Sequence, residues 1–155
     1  MALVLCLGAG AAFAVGDSGP GVTKTCRPDC TGTEYPDTLK GTNAANTIHG
    51  SGGKESPTFG DLIQGFAGKD TLHGDQGGDK IEGGGSDDLV NGDAGDDALI
   101  GGPGNDRLFA GSGSDVIRAA DGFRDFIDCG SSGTDKIFYD RNLDVFRDCE
   151  RTSAS

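Results

Sequence analysis

Residues 65–91 read GFAGKDTLH, GDQGGDKIE, GGGSDDLVN, and cut at these points they repeat every nine residues. Each block opens with Gly, carries Asp in sixth place and an aliphatic residue in eighth. Followed outward, the sixth place falls on Asp61, Asp70, Asp79, Asp88, Asp97, Asp106 and Asp115, and the eighth on Ile63, Leu72, Ile81, Val90, Leu99, Leu108 and Ile117. Glycine opens the blocks at Gly65, Gly74, Gly83, Gly92 and Gly101 and holds the fourth place at Gly68, Gly77, Gly95, Gly104 and Gly113. Upstream, GTEYPDTLK (32–40) and GTNAANTIH (41–49) keep the pattern, with Asp37 and Asn46 in sixth place. An excess of six residues in the stretch 50–58 separates them from the main run, and downstream Asp125 and Asp135 follow at steps of ten.

The chain has 155 residues, room for one domain, with 29 glycines and few aromatics, a composition of repeat architectures or disordered chains. A solvated, disordered linker does not account for seven aliphatics in strict spacing. Of 25 acidic residues 21 are Asp, the short carboxylate favoured in turns and oxygen-ligand metal loops. The formal net charge is −12, and −8 of it lies between Gly60 and Arg118. Such a stripe excludes nucleic acid and anionic membranes as partners, since both need positive charge, and it calls for cations.

A nine-residue block with glycine in two fixed places is a poor helix. It divides into a six-residue turn, Gly-x-x-Gly-x-Asp, and a three-residue strand in which alternation turns the eighth residue inward. Two blocks make one coil, with a strand on each side and equivalent positions eighteen residues apart. One aliphatic side chain per block is too little apolar area to offset the entropy of ordering nine residues, and stacked carboxylates repel. A cation must complete such an interior. Calcium fits: it takes six to eight oxygens at about 2.3–2.6 Å in irregular geometry, mixing carboxylates with carbonyls. Glycine admits positive φ, which lets the turns aim carbonyls at an ion. Magnesium's strict octahedron suits such turns less, and transition metals prefer ligands that the repeats lack apart from His49 and His73. Those two occupy the ninth place one coil apart, which brings their rings near 5 Å from each other; two solvent-facing histidines are the plainer reading.

The blocks resemble the repeats-in-toxin (haemolysin-type) nonapeptide G-G-x-G-x-D-x-U-x, a calcium-binding repeat, over about residues 32–135. That resemblance implies an all-β fold: a right-handed parallel β-roll with bound Ca²⁺ between the turns of one block and the next but one. It implies ion-sharing pairs Asp61 with Asp79, Asp70 with Asp88, Asp79 with Asp97, Asp88 with Asp106, and Asp97 with Asp115, with five to seven ions in all. The glycines Gly65, Gly68, Gly74, Gly77, Gly83, Gly92, Gly95, Gly101 and Gly104 belong to these calcium turns. Asp140, outside the run, carries no such role. The tail DFIDCGSSGTDKIFYDRNLDVFRDCER resembles the ending of small secreted bacterial members of this group. It reads as a cap whose aromatic cluster closes the roll's open edge.

The beginning, MALVLCLGAGAAFA, reads as a signal peptide cleaved after Ala14, although no Lys or Arg precedes its apolar run. A lipid anchor on Cys6 is disfavoured by the bulk of Leu5. The run is too short to span a bilayer. Without Cys6, an even count remains in an exported chain. Position along the chain pairs Cys26 with Cys30 and Cys129 with Cys149, one before the repeats and one after; a four-cysteine zinc site would need different spacings. The expected organisation is a signal peptide at 1–14, an N-terminal segment with a short disulfide loop at 15–31, the roll at 32–118, and irregular last repeats with the cap at 119–155.

The functional expectation is calcium binding by a secreted, monomeric roll that folds on the ion; calcium-dependent adhesion to an extracellular surface or matrix is the alternative. Catalysis finds no support: GxSxG, HExxH and the phosphate loop are all absent from the sequence, and paired aspartates at a strict period read as ligands rather than as a glycosidase acid and base. The outward row Thr47, His49, Thr71, His73, Leu89, Asn91, Arg107 and Phe109 is too irregular for an ice-binding array.

Overall fold

The computed structural model describes residues 23–51 and 60–149. The signal-peptide reading, Cys6 and most of the 50–58 excess lie outside them. Fourteen strands alternate between two parallel sheets. Along the chain, one sheet receives β1 (Thr23–Thr25), β3 (Thr38–Lys40), β5 (Leu62–Ala67), β7 (Lys80–Gly85), β9 (Ala98–Ile100), β11 (Val116–Arg118) and β13 (Lys136–Phe138), stacked in that order. The other receives β2 (Asp29–Thr31), β4 (Thr47–His49), β6 (Thr71–His73), β8 (Leu89–Asn91), β10 (Arg107–Phe109), β12 (Phe126–Asp128) and β14 (Val145–Arg147), again in order. This is the expected roll, with one coil for every two blocks. No helix among the described residues is long and apolar enough to cross a membrane.

Most strands have three residues because only places seven to nine lack a turn-forming requirement. Alternation then buries the middle residue and faces its neighbours outward. The registers stack those middle residues into two ladders. In the first sheet Leu39, Ile63, Ile81, Leu99, Ile117 and Ile137 lie in successive coils. In the second, Ile48, Leu72, Val90, Leu108 and Ile127 do the same. All eleven are fully buried. Between β3 and β5, and between β4 and β6, equivalent residues are separated by twenty-four positions rather than eighteen, yet Leu39 still faces Ile63 and Ile48 still faces Leu72. The six extra residues fall between β4 and β5 in the chain and leave both registers in place.

Both expected disulfides are present, Cys26–Cys30 and Cys129–Cys149. Cys30 stands in β2 directly over Ile48, in the place an aliphatic fills elsewhere, so the first bond covers that end of the core. At the other end the aromatics divide between two places. Phe109, Phe126 and Phe138 lie in outward-facing strand positions, where Arg107 packs 5.5 Å from the ring centroids of Phe109 and Phe126 and Arg118 4.9 Å from that of Phe138. These three line the flanks of the last coils, while Tyr139 and Cys149, bonded to Cys129, pack against the end of the core. Phe146 continues the inner ladder over Ile127 but is 36% exposed, and it meets Tyr139 edge-on at 4.7 Å.

The burial contrast along one ladder sets a test. In calcium-loaded protein, Leu99→Ala lowers unfolding stability by about 2–5 kcal/mol, whereas Phe146→Ala, at the exposed end, costs clearly less; denaturant titration of both variants measures the difference.

Candidate metal centre

The sixth-place residues lie where each turn enters its strand, so they stack into two columns, one beside each sheet. In every step of both columns a backbone amide donates to a carboxylate one coil further on. Along the first, Asp37 donates to Asp61, Asp61 to Asp79, Asp79 to Asp97, Asp97 to Asp115 and Asp115 to Asp135, at 2.6–3.0 Å and always to Oδ1. Along the second, Asn46 donates to Asp70, Asp70 to Asp88, Asp88 to Asp106, Asp106 to Asp125 and Asp125 to Asp144, at 2.7–3.0 Å. The five pairs that the family resemblance implied as ion-sharing are therefore hydrogen-bonded neighbours.

The second carboxylate oxygen is a different matter. Oδ2 of Asp61, Asp70, Asp79, Asp88, Asp97, Asp106, Asp115, Asp121 and Asp125 is buried without a hydrogen-bond partner. An unpartnered buried anionic oxygen is costly unless a cation meets it. Burial pushes the pKa of Asp97 up to about 8, those of Asp61, Asp88, Asp106 and Asp125 to about 7, and those of Asp70, Asp79 and Asp115 to about 6; the donated amides oppose the rise in each. For Asp97 the neighbouring carboxylates of Asp79 and Asp115 add to it.

The opening glycines explain why the oxygens can gather. A Cβ placed on Gly65, Gly74, Gly83, Gly92 or Gly101 would come within 3.0 Å of Oδ2 of the Asp in the same block, namely Asp70, Asp79, Asp88, Asp97 and Asp106. At the first four it would equally strike the carbonyl oxygen that opens the next coil. The place of the missing side chain is a cradle lined by carboxylate and carbonyl oxygens, the donor set calcium accepts. These glycines supply space and not φ. Positive φ belongs to the second place and to most of the fourth: Gly68, Gly77 and Gly95 have φ of 103°, 125° and 144°, whereas Gly104 is needed because a Cβ would strike the Ser86 carbonyl. The second place also turns left-handed where it holds Phe66, Asp75 or Asp93, with φ of 78°, 71° and 69°, a requirement the sequence reading passed over because only some blocks put glycine there.

The flanking turns differ in chemistry. Asn46 uses its side-chain oxygen to accept from Thr42 and its Nδ2 to donate to the Pro28 carbonyl, so it closes its turn without an ion. Ala110 and Ala119 fill the opening place with buried methyl groups. Asp140, expected to carry no ion-sharing role, accepts from the amides of both Asp121 and Gly122 and so holds the last turn. Asp106, Asp121 and Asp125 each bring a carboxylate oxygen within 4.8 Å of the others. Asp121, in third place, was passed over; Asp125 was noted at a step of ten but left out of the expected ligands. His49 and His73 stack as the spacing predicted, 4.6 Å apart and 7° from parallel, with Asp75 3.7 Å from the first and Asp93 3.2 Å from the second.

A family model described as the RTX calcium-binding nonapeptide repeat (4 copies) matches residues 31–55, 64–99 and 91–123, more than half of the chain. No curated protein and no solved structure matches it.

The cradle and the raised pKa values each give a test. Gly92→Ala raises the calcium concentration needed for strand formation, because its Cβ displaces the Asp97 carboxylate. Gly85→Ala, whose Cβ would lie 3.9 Å from the nearest atom, leaves that concentration unchanged. In chelator, the carboxylates of the coiled chain bind protons that those of the uncoiled chain, near the ordinary 3.8, have already lost. Their burial penalty is therefore absent at low pH and fully present above about 8. Lowering the pH from 8 to 5 increases the circular-dichroism strand signal of metal-free protein; a flat profile would contradict the raised values.

Proposed function

The chain belongs to the RTX calcium-binding nonapeptide-repeat family, whose repeats bind calcium through a β-roll, and from that membership we propose that it is a secreted calcium-binding protein that at neutral pH coils only when the ion is present. The ligands are Asp61, Asp70, Asp79, Asp88, Asp97, Asp106 and Asp115, joined by carbonyl oxygens of the glycine turns. The observation that carries this reading is the set of nine buried Oδ2 atoms without a hydrogen-bond partner. Without cations, two columns of buried carboxylates oppose coiling at neutral pH. Calcium meets the oxygens and removes the opposition. Because the ion binds only the coiled state, rising calcium stabilises that state by mass action. Each Asp is bonded to the coil before it, so filling one site orders the next and the response is cooperative.

The two disulfides support an extracellular setting, since such bonds persist in oxidising compartments. The proposed organisation is a cleaved leader at 1–14, a disulfide loop at 15–31, repeats at 32–118, and irregular last coils to 155. Its activity is binding rather than catalysis.

The test is a calcium titration followed by far-ultraviolet circular dichroism, with magnesium as control. Strand signal rises steeply with calcium and not with magnesium. Asp88→Asn, which keeps an acceptor for the Asp70 amide but loses the charge, shifts the midpoint on the order of tenfold, equivalent to about 1.4 kcal/mol. Asp148→Asn, on the exposed rim, leaves it in place. Coincident midpoints would remove Asp88 from the ligand set.

A further inference from the structure

The turn before β12 differs from every other turn of its column. Its block, Ala119–Asp128, has ten residues instead of nine and puts Asp in third place, where the preceding blocks of the main run have Ala67, Gln76, Gly85, Ala94, Pro103 and Ser112. The extra carboxylate meets two sixth-place ones: oxygens of Asp106, Asp121 and Asp125 lie within 4.8 Å of one another. Among the described residues this is the one group of three acidic, histidine or cysteine side chains so gathered.

Acidic neighbours alone would mean little. Here each carboxylate has one oxygen committed and the other left over. Asp106 Oδ1 accepts from the Asp88 amide, Asp125 Oδ1 from the Asp106 amide, and Asp121 Oδ1 from the Phe123 amide two residues on. Oδ2 of all three is buried and unpartnered, and the side chains of Asp106 and Asp125 are each only 1% exposed. The committed oxygens fix the three groups from different parts of the backbone, and Asp140 pins the turn by accepting from the amides of Asp121 and Gly122.

We infer that Asp106, Asp121 and Asp125 form a three-carboxylate calcium site, the tightest of the roll, which fills first. No other turn among the described residues gathers three carboxylates so closely, and affinity for calcium rises with the number of charged ligands and with rigidity. A site with three carboxylates therefore outbids its neighbours when the ion is scarce. This rests on the calcium reading above, and concerns the order of filling.

The experiment uses the full mature chain at limiting and saturating calcium, with bound ions counted by native mass spectrometry and amide hydrogen exchange followed along the sequence. In the wild type the first ion protects residues 106–126 before residues 61–97. Asp121→Asn keeps an acceptor for the Phe123 amide and loses the charge; it weakens the first ion bound on the order of tenfold and leaves later ones nearly unchanged. Asp88→Asn weakens a later ion instead. Protection that begins at residues 61–97 in the wild type overturns the inference, and this arm does not depend on any variant folding. An Asp121→Asn titration that superimposes on the wild type while Asp88→Asn still shifts overturns it alone. A wild type that binds no calcium overturns the calcium reading with it.

Discussion

A carboxylate that is half satisfied governs this molecule. One oxygen of each sixth-place Asp is held by the amide of the coil before, which fixes the side chain in the interior and ties coil to coil. The other oxygen points at oxygens. Geometry therefore delivers the charge to a place where charge is unfavourable, and only a cation can reconcile the two. The choice of Asp over Glu follows: the amide it must reach belongs to the equivalent residue one strand spacing away, about 4.8 Å, and one more methylene would carry the carboxylate past it.

Each of the nine places then has one physical task. The eighth supplies hydrocarbon and the sixth supplies charge. The first must be bare because oxygens occupy the room of its side chain. The second and fourth bend the chain through left-handed φ. The seventh and ninth face solvent and are free to vary, which is why they carry Thr, Lys, Leu, Arg, His, Asn and Phe without disturbing the coil. The interior that results is half apolar ladder and half oxygen column, thin by the standard of a globular core.

The fold was almost wholly legible because period and chemistry agreed: an inward residue every nine positions admits few shapes, and Ile63, Ile81 and Leu99 stack as their spacing requires. The sixth-place aspartates were legible for the same reason. What escaped depended on backbone conformation or on breaks in the period. The left-handed second place was hidden because Phe66, Asp75 and Asp93 share it with glycine, and side-chain identity does not report φ. Asp121 was hidden because it stands in third place, where no preceding block of the main run carries a carboxylate. Which rings of the tail sit at the end was hidden too, since composition shows how many rings there are, while strand alternation decides which way they face.

The corner between β4 and β5 has a consequence of its own. Twenty-four residues bridge a gap that eighteen bridge in the regular run, and the ladder above and below it does not move. Position in this solenoid is thus reckoned by what a side chain stacks upon, and distance along the chain is free to differ at the corners. Such an architecture can lengthen a bend without renumbering its core, so novelty has a natural point of entry at the rim while the stack beneath stays the same.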